Sequence, residues 1–431
     1  MVKKFSAPRG TSDIYPQQAS VWQELETQAR QTLACYGYGE IRTPLFEDTE
    51  LFVRSVGQTS DIVQKQMLNI APQGTLDARD IEGYKLSLRP EGTAAVVRAY
   101  IQAGMDKKEF LSKLFYIGAM FRGERPQKGR LRQFHQIGVE AIGPDSCSPY
   151  LDSEVIGLCL ELLKNIRVPT YQLKINSLGT QKDKQAFSEE LRRKLQPAKS
   201  ELCSDCHSRF DRNVFRILDC KKKTCRQIVG QLKLDHAYLC KESRQYYQKV
   251  KQGLQALNIP YEEDPAMVRG LDYYTHTVFE VCSPSLGSQD ALGAGGRYDN
   301  LVSQLGGPKA DAVGFAVGLE RILLARGEQD INTDSALDVF LISLDGASLA
   351  NNFKLANSLR KQRLIVDMSF KLASLKSQMR TANKKKARFV VIRGEEEQRQ
   401  GMITLKDMQD GRQEPVAVNN VEQKIMNIIK R

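Results

Sequence analysis

Residues 121–140 read FRGERPQKGRLRQFHQIGVE. Two β-prone runs, KLFYIGAMFR (113–122) and LRQFHQIGVEAIG (131–143), flank the polar GERPQKGR, which predicts a hairpin with a long loop. Five cations, Arg122, Arg125, Lys128, Arg130 and Arg132, crowd that loop. Strand alternation puts His135, Ile137, Val139 and Ala141 on one face of the second run, and Phe134, Gln136, Gly138 and Glu140 on the other. The first face is apolar except for His135. The second offers an amide, a bare glycine and a carboxylate in succession, and glycine lets a small polar ligand approach the backbone. A solvent-facing strand with incidental polar residues fits the same pattern. The loop speaks for a ligand: arginine grips phosphates bidentately, so a basic loop beside a polar sheet face suits a nucleotide or a nucleic-acid end.

Working outward, 431 residues is long for one domain and predicts two or three. A hydrophobic content of 41% and a charged content of 26% are ordinary for a soluble globular enzyme. No apolar run reaches the ~18 residues of a membrane span, and MVKKFSAPRGTSD at the start lacks the apolar centre of a secretory signal. A cytoplasmic protein with no membrane partner is expected. The net charge of +12 favours polyanionic partners. Its placement is uneven: residues 336–431 hold 18 Lys+Arg against 10 Asp+Glu.

The chain divides into three blocks. Residues 1–178 mix helical and alternating patterns. Residues 180–262 are rich in Lys, Arg, Gln and Cys and read mostly as helices, for example QAFSEELRRKL and ESRQYYQKVKQGLQAL. From Met267 the strand-like alternation returns, so the middle block reads as an insertion into a sheet-containing domain. A polar linker, 326–336, precedes the third block. There DVFLISL, ASLANNFKLANSLRKQ, LIVDM, LASLKSQMRTANKKKA and RFVVIRG alternate strand and helix, which predicts a small α/β domain with a mainly parallel sheet.

Other stretches carry candidate chemistry. LSLRPEGTAAVVRAYI (86–101) reads as strand, turn and a helix opening near Thr93. Glu91 at that turn could accept from an ammonium group, or simply favour the helix N-terminus. RGLDYYTHTVFEV (269–281) predicts a strand with Arg269, Leu271, Tyr273, Thr275 and Thr277 on one face and Tyr274, His276 and Val278 on the other. The glycines of ALGAGGRYDNLV (291–302) match neither phosphate-loop spacing. AVGFAVGLERILLA (312–325) reads as a strand passing into a helix with Arg321, an arginine in apolar surroundings that needs an anion or an acid.

Together these stretches resemble class II aminoacyl-tRNA synthetases, and among them the histidyl-tRNA synthetases of bacterial type. APRGTSD (7–13) is similar to the family's N-terminal signature, and GYGEIRTPLFEDTELF (37–52), with Pro44, to the class II dimer-interface motif. MFRGERPQKGRLRQFHQ and GFAVGLERILL resemble the second and third class motifs, and RGLDYYTHTVFEV and GAGGRYDNL the two histidine-specific ones. The resemblance implies an α+β fold. A class II catalytic domain (1–325), its antiparallel sheet flanked by helices, would be interrupted by a mostly helical insertion (180–262) and followed by an α/β anticodon-binding domain (337–431). It also implies a homodimer that joins L-histidine to ATP with Mg2+, giving histidyl-adenylate and pyrophosphate, then passes histidine to the 3′ end of histidine tRNA. By the same resemblance, Glu91, Gly92, Thr93, Gln136, Glu140, Arg269, Tyr273 and Tyr274 bind histidine, with Glu140 and the tyrosines on the imidazole. Arg122, Arg130 and Arg321 bind ATP, and Arg269 and Arg122 are catalytic.

Two points stay open on the residues. LCSDCHSRFDRNVFRILDCKKKTC in the insertion spaces Cys203, Cys206, Cys220 and Cys225 as a four-cysteine zinc site would, although reduced thiols in a helical block fit too. The rival to the enzyme is a non-catalytic histidyl-synthetase-like regulatory subunit of histidine biosynthesis. Such paralogues lack the anticodon-binding domain and have degraded histidine motifs, whereas this chain keeps both.

Overall fold

The computed structural model describes residues 4–58, 60–70, 85–144, 146–327 and 337–429. The chain forms two compact units, 1–331 and 332–431. Most of the expected linker, residues 328–336, lies outside the described residues.

The first unit is built on an eight-stranded sheet. Its order is Gly39–Glu40, Ser112–Phe121, Gln133–Gly143, Asp311–Gly318, Ala291–Arg297, Thr275–Cys282, Gln172–Ser177 and Glu262–Glu263. The six longer strands pair antiparallel, and only the two-residue edge strands pair parallel. The predicted hairpin is present, Ser112–Phe121 against Gln133–Gly143, with Ile137 opposite Ile117. The Gly-rich stretch is a central strand hydrogen-bonded on both sides, so its backbone is not free to cradle phosphate.

Alternation along Gln133–Gly143 decides the layering. Ile137, Val139 and Ala141 are fully buried in a core shared with Leu25, Ala29 and Leu33 of the helix Pro16–Cys35 and with Val155, Leu158 and Leu162 of Pro149–Asn165. Each fully buried aliphatic side chain there contributes roughly 1.5–3 kcal/mol. His135, the exception on that face, is accounted for: its Nδ1 lies 2.9 Å from Glu320 and its ring meets Trp22 edge-on at 4.8 Å. The opposite face packs on Val96, Val97 and Tyr100 of the helix Thr93–Gln102 and on a group of tyrosines.

The middle block divides by its packing. Phe187, Leu191, Cys206, Phe210, Ile217 and Cys225 form their own small core. Tyr247, Val250 and Leu254 of the helix Lys241–Ala256 instead join the main core.

The second unit holds a five-stranded sheet. Val366–Met368, Val339–Ser343 and Phe389–Arg393 are parallel, as expected, and Met402–Asp407 and Gln413–Ala417 add antiparallel strands. All five residues of Val339–Ser343 are buried, because helices cover both faces of a parallel sheet. Asp345 starts the following helix by accepting from the Ser348 N–H at 2.7 Å. Among the described residues no helix is long and apolar enough to cross a membrane.

One buried ion pair ties the first unit together. Arg297 reaches Asp152 Oδ1 through Nη2 at 2.6 Å and Nε at 3.0 Å, and neither side chain is exposed. Asp299 (2.8 Å) and the Ser146 carbonyl (2.6 Å) take its other donors, while Thr277 (2.6 Å) and Tyr246 (3.1 Å) donate to Asp152. Removing one partner of such a pair strands a buried charge. Asp152→Ala should therefore lower unfolding free energy by ~3–5 kcal/mol, measured by urea titration, and an Asp152→Leu/Arg297→Met double variant should recover much of it.

Candidate active site

Glu140 sits mid-strand, 1% exposed, opposite Leu114 on one neighbour and Gly314 on the other. A Cβ at position 314 would lie 2.1 Å from Glu140 Oε2, so the glycine makes room for the carboxylate. Thr93 Oγ1 donates to Oε1 at 2.7 Å, and the Tyr298 hydroxyl donates to Oε2. Burial outweighs these donors and pushes the acid up to about 8. Four residues earlier on the same face, Gln136 is flanked by Gly118 and Gly318. Its Oε1 is buried and has no hydrogen-bond partner among the described residues, which leaves an acceptor for an incoming N–H.

Gly138 differs from its reading as an open floor. Tyr116, directly opposite, lies over it, and a Cβ on Gly138 or Gly92 would come within 2.2 or 2.3 Å of the tyrosine ring. Both glycines thus house an aromatic side chain. Glu91, buried, accepts the N–H groups of Thr93 (2.7 Å) and Ala94 (2.9 Å), so it does favour the helix N-terminus; burial raises its acid range.

The predicted strand over 269–281 begins only at Thr275. Residues 269–274 form a turn-rich approach to it, and His276 has φ +42° next to a register shift. Consequently Tyr273 and Tyr274 do not occupy opposite faces. Their rings pack together at 4.8 Å, and Tyr273 meets Tyr298 edge-on at 5.5 Å. Burial pushes the Tyr274 hydroxyl up to about 12 and Tyr273 well above its usual range.

The arginines form the other end. Arg122 donates from Nε to the Pro90 carbonyl at 2.9 Å, with its guanidinium 5.0 Å from the Phe134 ring centre. Arg130 pairs with Glu124 at 3.1 Å and Arg269 with Glu280 at 2.8 Å. Arg321 donates to the carbonyls of Gly129 (3.1 Å) and Ala291 (2.6 Å), joining the 127–130 turn to the helix Leu319–Arg326. Burial, with neighbouring cations including Arg130, pulls Arg122 and Arg321 below their usual range. Four arginines against two glutamates leave an excess of positive charge suited to a polyphosphate. The loop's other cations differ. Arg125 and Lys128 are exposed, and Arg132 binds the carbonyls of Glu124 (3.3 Å) and Arg9 (3.4 Å), fastening the N-terminal stretch to the loop.

The residues predicted to bind histidine gather around Glu140 and Glu91, except Arg269, which stands with the predicted ATP arginines. The four cysteines meet elsewhere, in the middle block. Sequence reading missed Tyr298, Tyr116 and Arg89. Arg89 is 5% exposed and holds the Ala119 carbonyl (2.9 Å) and Thr43 Oγ1 (2.9 Å). Tyr298 carries a signal, an aromatic that follows the glycines within the motif GAGGRYDNL.

A family profile described as histidyl-tRNA synthetase matches residues 10–322, and one described as an anticodon binding domain matches 338–428. A protein of Natranaerobius thermophilus named histidine–tRNA ligase is 45% identical over 425 residues, covering 98% of this chain and 99% of its own. Another of that name from Syntrophotalea carbinolica is 42% identical over 421 residues, 98% of each. The crystal structure of apo S. aureus histidyl-tRNA synthetase superposes with a TM-score of 0.79 at 34% identity, covering 98% of this chain and 100% of that one. With the class II sheet, the second and third class motifs and both histidine motifs in place, the chain belongs to the histidyl-tRNA synthetase family.

Proposed function

We propose that the two ends of this site divide the work of histidine–tRNA ligation. The activity is the two-step reaction of that ligase, with histidine, ATP and histidine tRNA as substrates. Its full-length likeness to catalytic relatives sets aside the regulatory-subunit reading. In the first step a carboxylate oxygen of histidine bonds to the α-phosphorus while the bond to the β-phosphate oxygen breaks, and pyrophosphate leaves. In the second, the 3′-terminal hydroxyl of the tRNA attacks the histidyl carbonyl and AMP leaves. Magnesium comes with the triphosphate as part of the substrate.

The observation that carries the assignment of ends is Glu140. A neutral imidazole presents one N–H and one bare nitrogen. Glu140 keeps free lone pairs beside those used by Thr93 and Tyr298 and takes the N–H; a hydroxyl of the Tyr273–Tyr274 pair donates to the bare nitrogen. Gln136 Oε1 and the field of Glu91 receive the ammonium group, with Thr93 and Gly92 shaping that wall. The histidine carboxylate then points toward Arg122 and Arg269. Arg122, Arg130 and Arg321 hold ATP, and Arg269 and Arg122 stabilise charge that develops at the α-phosphorus. Residues 1–325, with their insertion near 180–262, make up the catalytic domain, and 337–431 read the anticodon. The homodimer forms through 37–52, where Leu45 and Phe46 are about half exposed and Arg89 braces Thr43 and Pro44. The site of action is the cytoplasm, where tRNA is charged.

Three measurements test these assignments. Glu140→Gln should raise the KM for histidine roughly 10- to 100-fold and leave that for ATP close to wild type, because the amide cannot give up a proton to become the carboxylate that a bound imidazole N–H favours. Its pH dependence has a sign. Burial pushes Glu140 up to about 8 in the folded chain, above the ordinary carboxylate range it has unfolded, so the native state holds an extra proton between the two. Relative to Glu140→Gln, the ligand-free wild type should lose stability as pH rises across that window and then level off, as read by urea titration.

Arg269→Ala should slow adenylate formation by ~10²–10³ in single-turnover assays, with a smaller change in histidine affinity. Transfer from preformed adenylate should suffer less, since that step breaks no α–β phosphate bond; equal losses in both steps would contradict the role.

Deleting residues 332–431 should cut tRNA charging far more than histidine-dependent pyrophosphate exchange in a folded dimer. Equal losses would refute the division between the units.

A further inference from the structure

The sulfurs of Cys203, Cys206, Cys220 and Cys225 all lie within 4.8 Å of one another, and Cys203 and Cys220 are 3.9 Å apart. A tetrahedral zinc with Zn–S bonds of ~2.3 Å sets its sulfurs about 3.8 Å apart, so little movement completes the site. Three of the four are buried, and all four are free thiols. Their chain positions are those of two metal-binding turns. Cys203 precedes the helix Ser204–Arg212 and Cys206 is in its first turn; Cys220 follows Phe215–Leu218 and Cys225 is in the first turn of Lys223–Gln231. Two helix N-termini and the Cys203 N–H, 3.3 Å from Cys225 Sγ, favour sulfur as thiolate. Four thiolates and no oxygen ligand select zinc over magnesium or calcium.

From the helices that frame the cysteines, Arg209 and Arg216 both reach Asp61 Oδ2, at 3.1 and 3.2 Å. We propose that Cys203, Cys206, Cys220 and Cys225 form a tetrathiolate zinc site whose structural task is to lock the short helices that carry Arg209 and Arg216 in place against Asp61. Binding releases the thiol protons to solvent, and no electron is transferred.

Elemental analysis of the full-length protein, purified without added metal or chelator, should show about one zinc per chain. Cobalt added alone to metal-stripped protein should give thiolate-to-cobalt charge-transfer and tetrahedral d–d bands saturating at one equivalent. Cys225→Ser should lose zinc, and Cys35→Ser, outside the cluster, should keep it. Should Cys225→Ser fail to fold, the wild-type cobalt spectrum still decides. No zinc and no cobalt bands would overturn the site, whether the thiols are then found reduced or paired as disulfides. For the structural task, the metal-stripped wild type should unfold at lower urea than the zinc-loaded one, and equal midpoints would overturn it.

Discussion

The Arg297–Asp152 ion pair is closed to solvent on both sides, and the setting of Glu140 depends on it. Taking two charges out of water costs several kcal/mol each, and only good geometry with every donor and acceptor used offsets that. Here the guanidinium is shared among Asp152, Asp299 and a carbonyl, and the carboxylate also receives two hydroxyls. The pair joins the end of the strand Ala291–Arg297 to the helix Pro149–Asn165, and Thr277 brings in a third element. Tyr298 is the next residue after Arg297. Once the arginine is locked, the tyrosine has little choice of direction, and its hydroxyl meets Glu140.

The two ends of the site follow opposite electrostatic logic. Around Glu140 the walls are aromatic and aliphatic, so the local dielectric is low and a carboxylate without a matching donor is costly. A site of that kind rejects an analogue lacking the N–H by ~10⁴–10⁵, because such a ligand leaves the acid unpaired. Around Arg122, Arg130, Arg269 and Arg321 charges of one sign are gathered, and the paired glutamates relieve only part of the repulsion. That repulsion is stored until an anion arrives. The 127–130 turn takes part through its backbone, since Arg321 holds the Gly129 carbonyl.

The middle block is held to the sheet domain in two ways. Its outer part has a separate small core, which lets it vary without disturbing the sheet, while its last helix is part of the main core. Contacts such as Arg209 and Arg216 with Asp61 join that outer part to the rest of the first unit.

Much of this was legible in the chain alone. Period-two alternation marked the hairpin and its buried face, because a strand that packs on helices must keep one side apolar. The α/β rhythm after residue 337 marked the second unit for the same reason. The motifs named the family. What local pattern could not supply was anything set by partners distant in sequence. Tyr273 and Tyr274 read as facing apart, and the backbone turn before Thr275 brought them together. Gly138 read as an open floor, and a tyrosine from the neighbouring strand fills it. Arg297 carries no local mark of its role, which lies in an aspartate 145 positions earlier. Alternation and spacing are local quantities. Burial, pairing and the direction of a side chain are settled only when the sheet closes around them.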